Sequence, residues 1–470
     1  MNDIEEQSKP DFFRFALCAA GLSALAVALT TFSAGADEPP KSRVDGAVSA
    51  AERAAATEGA LRQLDPDGNA GAQRSARRSA RSVAKAARGF EPVVDKMIPA
   101  DWDAAGLDIS KAKRVGDKLV QSLPNGGEVY LTIDPDVQDH LEKVFANNQV
   151  PHGGVTLVEP STGRVLAMVS HSQQEPAIPA IARKSNAPSA SVFKIITAAA
   201  LIESEGVDPY EDVCYHGGRS SLTEMNIKGS PARDSKCANL EDALAWSINS
   251  IMAKLSYHKL EREDLEVWTE RFGYNTEIPF ELPVEMSTAD ILDDPFERAR
   301  TAAGFWHTYL SPLHGAMIGA SVANDGVMMR PTLIDAYVGP SGDTLYEFEP
   351  KVFRRVMAKS TARTLAELLQ GTAEYGTARK YFSHSRRFPN HLEVGGKTGT
   401  LSNKDPYLGF TWFVGFGRNA DGQSVGVGGL ACNTPRWRIK GSYAASEALR
   451  KYFDVNAERA KAAETVAAHP

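Results

Sequence analysis

The order of its regular stretches constrains this chain most. Strand-like alternation opens the packed part of the sequence and returns near its end, with helical periodicity between. Glu128 to Ile133 alternates with period two, and Asp134-Pro135 opens a helix expected to run to about Ala146. Gly154 to Val158 and Arg164 to Val169 read as a strand pair joined by a turn at Ser161-Thr162-Gly163. Helical periodicity dominates from Ser191 to about Val207 and again from Leu240 to Leu260. Leu408 to Phe416 and Val425 to Leu430 are again strand-like and glycine-rich, and a helix over about Tyr443 to Phe453 precedes a polar tail, 457–470. Strands at both ends of one packed segment close into one antiparallel sheet. The expected class is α+β: an antiparallel sheet flanked by helices, plus an all-helical subdomain.

The segments before residue 125 differ in texture. Phe15 to Ala36 carries no charge, and as a helix its 22 residues span ~33 Å, enough for a bilayer core of ~30 Å. The run ends in Ala34-Gly35-Ala36, which fits the small-x-small pattern of a signal-peptidase site. Residues 1–36 therefore read as a cleaved signal or an uncleaved membrane anchor. Either places the remainder outside the cytoplasm. Residues 37–124 read as an Ala/Arg-rich linker or small N-terminal region. Arg74, Arg77, Arg78, Arg81, Lys85 and Arg88 fall at three- and four-residue steps, one face of a solvated helix.

Composition excludes several classes. With 52 Lys and Arg against 59 Asp and Glu, the net charge is −7, and no basic domain stands out, so nucleic acid is not an expected partner. The four cysteines show no C-x-x-C spacing and the ten histidines no H-E-x-x-H pair, so no metal site is expected.

Three short motifs carry the chemistry. In Ser191-Val192-Phe193-Lys194, three-residue spacing on a helix lets the lysine amine reach the serine hydroxyl. A serine needs such a base to become a nucleophile. The same S-x-x-K spacing occurs at Ser82/Lys85, Ser110/Lys113 and Ser256/Lys259, but Ser191 alone opens an apolar helix. Ser247-Ile248-Asn249 offers a hydroxyl to relay a proton and an amide to hold a carbonyl. Taken alone, it also reads as an ordinary helix break. In Lys397-Thr398-Gly399-Thr400, the hydroxyls and the lysine can bind a carboxylate. Gly399 is expected to let a substrate backbone approach. A plain glycine-rich hairpin is the other reading.

The three occur in this order, separated by 56 and 150 positions. In this combination the chain resembles the transpeptidase domain of penicillin-binding proteins, within the serine D,D-peptidase and β-lactamase superfamily. Leu131-Thr132-Ile133-Asp134, Ser311-Pro312-Leu313, Ala323-Asn324-Asp325-Gly326 and Trp412-Phe413-Val414-Gly415 are similar too, over about residues 125–455. The resemblance assigns residues 125–456 to that domain and implies a β-lactamase/transpeptidase-like fold. It makes Ser191 the acylated nucleophile and Lys194 its base. Ser247 passes a proton to the leaving amine with Lys397 nearby, Asn249 holds the substrate amide, and Thr398 and Thr400 grip the terminal carboxylate. The N–H groups of Ser191 and Thr400 form the oxyanion hole.

The implied reaction is D,D-transpeptidation of peptidoglycan stem peptides, with β-lactams as inhibitors and no cofactor. A D,D-carboxypeptidase or β-lactamase using water, and a non-catalytic receptor for β-lactams or wall fragments, are the rival readings. A glycan-polymerising synthase is admitted as a partner, and residues before 125 are too few for a glycosyltransferase domain. Outside the cytoplasm, Cys214 and Cys237 are a disulfide candidate, two buried thiols being the alternative.

Overall fold

The computed structural model describes residues 102–468, apart from 175–176, 219–220, 384–387 and 390. The uncharged run 15–36 and the arginine stripe 74–88 lie outside the described residues. Among the described residues no helix is long and apolar enough to cross a membrane, and no group of three His, Cys, Asp or Glu could hold a metal ion.

The central sheet has five strands: β1 (His152–Val158), β2 (Val165–Ser172), β3 (Glu393–Lys404), β4 (Tyr407–Arg418) and β5 (Ser424–Asn433). They lie side by side in the order β3-β4-β5-β1-β2, every pair antiparallel. Strands from both ends of the packed segment thus meet at the β5–β1 pair, as expected for this α+β class.

Helices α1 (Pro135–Asn147) and α7 (Gly441–Ala468) cover one face. Val137, Leu141 and Phe145 of α1 and Ala445, Leu449 and Phe453 of α7 share one core with Val155, Leu157, Val425 and Val427 of the sheet. The alternate residues of the same strands face α5 (Pro312–Ala323), which is buried along almost its whole length. Glycines set that spacing. A Cβ on Gly319 would lie 1.9 Å from the Gly415 oxygen, and one on Gly428 would lie 2.1 Å from the Pro312 oxygen. Helix backbone therefore rests directly on sheet backbone, and any larger residue would lift it away.

Three features differ from expectation. Residues 113–122, within the stretch read as linker or small N-terminal region, form two strands that no sequence signal marked: Lys113–Val115 and Lys118–Ser122 pair in a second sheet with Glu128–Leu131, Ile334–Val338 and Thr344–Glu347. Only Val120 and Gln121 of those two strands are buried, so no apolar alternation marks them. The polar tail is helix, because α7 continues to Ala468. Its last turns are exposed and rich in Ala, Glu and Lys, good helix formers that leave no apolar stripe. Arg459 in this stretch pairs with Asp134 and Asp136 at the start of α1, the latter at 3.0 Å. Last, the periodic run 240–260 is two helices, α3 (Leu240–Ala245) and α4 (Asn249–Lys259), broken around Ser247.

Cys214 and Cys237 form a disulfide, directly opposite each other in the two-stranded pair Val213–Tyr215 and Lys236–Ala238.

Candidate active site

Ser191 lies on a 3-10 turn, Ala190–Phe193, that runs straight into α2 (Lys194–Glu203). Ala190 before it takes a left-handed backbone, φ 50°, which costs a non-glycine residue about 1–3 kcal/mol. Packing on three sides holds the turn there. The Tyr274 hydroxyl meets Ser189 Oγ at 3.1 Å, and Trp412 Nε1 donates to the Pro188 carbonyl at 2.8 Å. On the third side Gly304 approaches so closely that a Cβ there would lie 2.7 Å from Ser191 Cα. Ser191 itself is only partly buried, so a ligand can reach it.

Lys194 Nζ lies 2.7 Å from Ser191 Oγ, as the three-residue spacing predicts. The same Nζ donates to Asn249 Oδ1 at 2.7 Å and to the Ala303 carbonyl. The side chain is completely buried. Its three partners are a hydroxyl, an amide oxygen and a carbonyl, none of them charged. Burial first, and the positive charge of Lys397 second, hold its pKa well below the ordinary lysine value. A neutral amine has two N–H groups and one lone pair. The N–H groups satisfy Asn249 and Ala303, which leaves the lone pair for the Ser191 proton.

Lys397 is on β3 and is also completely buried. It donates to the Thr398 carbonyl at 3.2 Å, and burial lowers its pKa to about 7. Along β3 the residues alternate. Lys397 and Gly399 face inward, while Thr398 is partly exposed and Thr400 exposed. A Cβ on Gly399 would lie 3.0 Å from the Ser189 oxygen and 3.1 Å from Ala190 Cβ. A side chain at 399 would therefore press on the serine-bearing turn. The strand period puts that face inward. Ser247 sits in the break between α3 and α4 with a left-handed backbone, φ 58°. Two residues on, Asn249 begins α4 and points at Lys194.

The structure thus brings Ser191, Lys194 and Asn249 into direct contact. It sets Lys397 within electrostatic range of Lys194, and it turns Thr398 and Thr400 together towards solvent. The competing pairs form no such contact among the described residues. Ser110 Oγ donates to Asp108 Oδ1 at 2.7 Å, and in Ser256/Lys259 the serine is buried while the lysine is exposed. Ser82 lies outside the described residues.

Sequence reasoning missed three contributors. Ala303 supplies a carbonyl to Lys194, Gly304 wedges the serine turn, and Thr377 Oγ1 meets Thr398 Oγ1 at 2.6 Å. Gly304 follows the helix Pro295–Ala302, so its glycine reads as a helix stop. Nothing local tells what lies across from it.

Comparison with known proteins agrees with this geometry. The family described as penicillin binding protein transpeptidase domain matches residues 153–453. A curated relative, peptidoglycan D,D-transpeptidase PbpA of Mycolicibacterium smegmatis, is 27% identical over 341 residues, covering 65% of this chain and 67% of its own. Among solved structures, the D,D-transpeptidase domain of a peptidoglycan glycosyltransferase from Eggerthella lenta superposes with a TM-score of 0.60 at 22% identity, covering 78% of this chain and 96% of that one. Penicillin-binding protein A of M. tuberculosis, solved as a ceftriaxone acyl-enzyme, gives a TM-score of 0.57 at 25% identity, covering 70% and 80%. With the matched segment spanning most of the chain and both sheet and serine site in place, the protein belongs to the penicillin-binding protein transpeptidase family.

Proposed function

We propose that the protein is a peptidoglycan D,D-transpeptidase that cross-links stem peptides through an acyl-enzyme on Ser191 and is blocked there by β-lactams. The observation that carries this is the Lys194 amine: fully buried, without a carboxylate partner among the described residues, and 2.7 Å from the serine oxygen. Burial and Lys397 favour its neutral form, and a neutral amine can take a proton.

Lys194 removes the Ser191 proton as Oγ bonds to the carbonyl carbon of the penultimate D-Ala. The developing oxyanion is held by the N–H groups of Ser191 and Thr400. Such donors are typically worth ~2.7–4 kcal/mol each. The C–N bond to the last D-Ala breaks, and the departing amine takes a proton through Ser247. An amine of a neighbouring strand then attacks the ester, loses a proton, and releases Ser191 with its hydrogen restored. Asn249 holds the substrate amide, and Thr398 and Thr400 hold the terminal carboxylate. In a β-lactam the opened ring stays attached, so no leaving group departs and the serine remains blocked.

This chemistry works on the wall side of the membrane. Residues 15–36 would carry the chain there, as a cleaved signal or an anchor, and a glycan-polymerising synthase would supply uncross-linked strands. The test is incubation with a defined stem peptide and an acceptor amine, products read by mass. A cross-linked product with release of D-Ala supports the reading. Shortened peptide alone makes it a carboxypeptidase, rapid turnover of labelled penicillin makes it a β-lactamase, and binding without an adduct makes it a receptor.

A further inference from the structure

Thr377 was picked out by no motif, yet it joins two of them. Its backbone N–H donates to the Ala245 carbonyl at 3.0 Å, the end of the helix that precedes Ser247. Its side-chain oxygen lies 2.6 Å from Thr398 Oγ1 on β3. Gly376 before it is pressed against the same carbonyl, where a Cβ would come within 2.3 Å of the Ala245 oxygen. The backbone at 376–377 is thus held against the end of α3. The Thr377 hydroxyl is held towards the K-T-G strand, and Thr377 itself is exposed.

We propose that Thr377 is a positioning residue that aims the Thr398 hydroxyl at the substrate carboxylate. This rests on the transpeptidase reading of the site. A threonine hydroxyl has one hydrogen and two lone pairs. Alone, Thr398 could turn its hydrogen towards any nearby acceptor. With Thr377 donating into one lone pair, the Thr398 hydrogen is left to point outward, on the face shared with Thr400. Hydrogen-bonded hydroxyls also polarise one another, which makes the outer one a better donor to an anion. Thr377 therefore acts through Thr398 and selects for a negative charge at the end of the ligand.

The test uses the full chain, a fluorescent penicillin with its free carboxylate, and the methyl ester of the same compound. In Thr377→Val, which keeps the backbone bond to Ala245, acylation by the acid should slow about tenfold, the size expected for a hydrogen bond to a charged group. Acylation by the ester should be unchanged, and Thr377→Ser should restore the acid rate. Equal loss with both compounds, no loss with the acid, or failure of Thr377→Ser to rescue overturns the proposal. Wild-type protein that takes neither compound, with Ser191→Ala as the blank, overturns the transpeptidase reading itself. Wild-type labelling beside an indifferent Thr377→Val overturns only the role of Thr377.

Discussion

Lys194 Nζ and Asn249 Oδ1 lie 2.7 Å apart although 55 positions separate them in the chain. This contact joins the S-x-x-K turn to the S-x-N break and fixes the orientation of the base. An amide oxygen can accept a hydrogen bond without supplying a charge. It therefore holds the lysine in place without stabilising the ammonium as a carboxylate would. Asn249→Asp should therefore slow acylation near neutral pH by raising the Lys194 pKa, and the fluorescent-penicillin rate should recover as pH is increased. A rate unchanged at every pH would remove this account.

Replacing Ser191 by Ala should abolish covalent labelling by fluorescent penicillin and leave the thermal midpoint within a few degrees. Ser191 is partly exposed and the turn is held by Ser189, Trp412 and Gly304 rather than by its own hydroxyl. Labelling that survives the change moves the nucleophile elsewhere.

The two buried lysines tie activity and stability to pH in the same direction. Lys397 loses its proton near pH 7 in the folded chain, whereas an unfolded lysine keeps it to about 10.4. Between those values the unfolded state binds more protons, so stability rises with pH through this window. Lys397→Met should flatten that slope in urea melts. It should also displace the acid limb of the acylation profile to higher pH, because it removes the positive charge that helps keep Lys194 neutral. A limb that stays in place or moves to lower pH would show that Lys397 does not tune the base.

Gly304→Ala should damage the site from outside it. The backbone at 304 has φ 84°, and the added methyl would meet the Ala190 oxygen at 2.5 Å and Ser191 Cα at 2.7 Å. Relief requires the serine turn to shift, and a 1 Å misplacement of a reacting group can cost ~100-fold in rate. The acylation rate should fall by about that factor while far-ultraviolet circular dichroism stays the same. An unaffected rate would mean that the turn is not held from this side.

Breaking the Cys214–Cys237 bridge should lower stability by roughly 3.4 kcal/mol for a closed loop of about 24 residues, on the chain-entropy account. Chemical melts with and without reductant measure the difference. Intact mass after alkylation without reductant should show both thiols protected, and two alkylated thiols would contradict the bridge.

The residue types and their local spacing determined much of this protein. Period-two alternation marked the strand Glu128–Leu131 of the second sheet, and strand-like runs marked β1, β2, β4 and β5. The Asp134-Pro135 pair marked the start of α1, where Asp134 indeed accepts from the N–H groups of Asp136 and Val137. Three-residue spacing was enough to place Lys194 against Ser191, because a helical turn is a local geometry. Tertiary structure alone decided the rest. The strands at 113–122 were illegible because they bury almost nothing, and the end of α7 because its last turns face water. That Ala303, Gly304 and Thr377 belong to the site depended on which backbone packs across from the serine turn and the K-T-G strand. Such contacts join residues about 20 to 110 positions apart. They are set by how the helix Pro295–Ala302 packs on α4 and the helix Lys359–Glu374 packs on β3 and α3, and no local spacing in the chain encodes that packing.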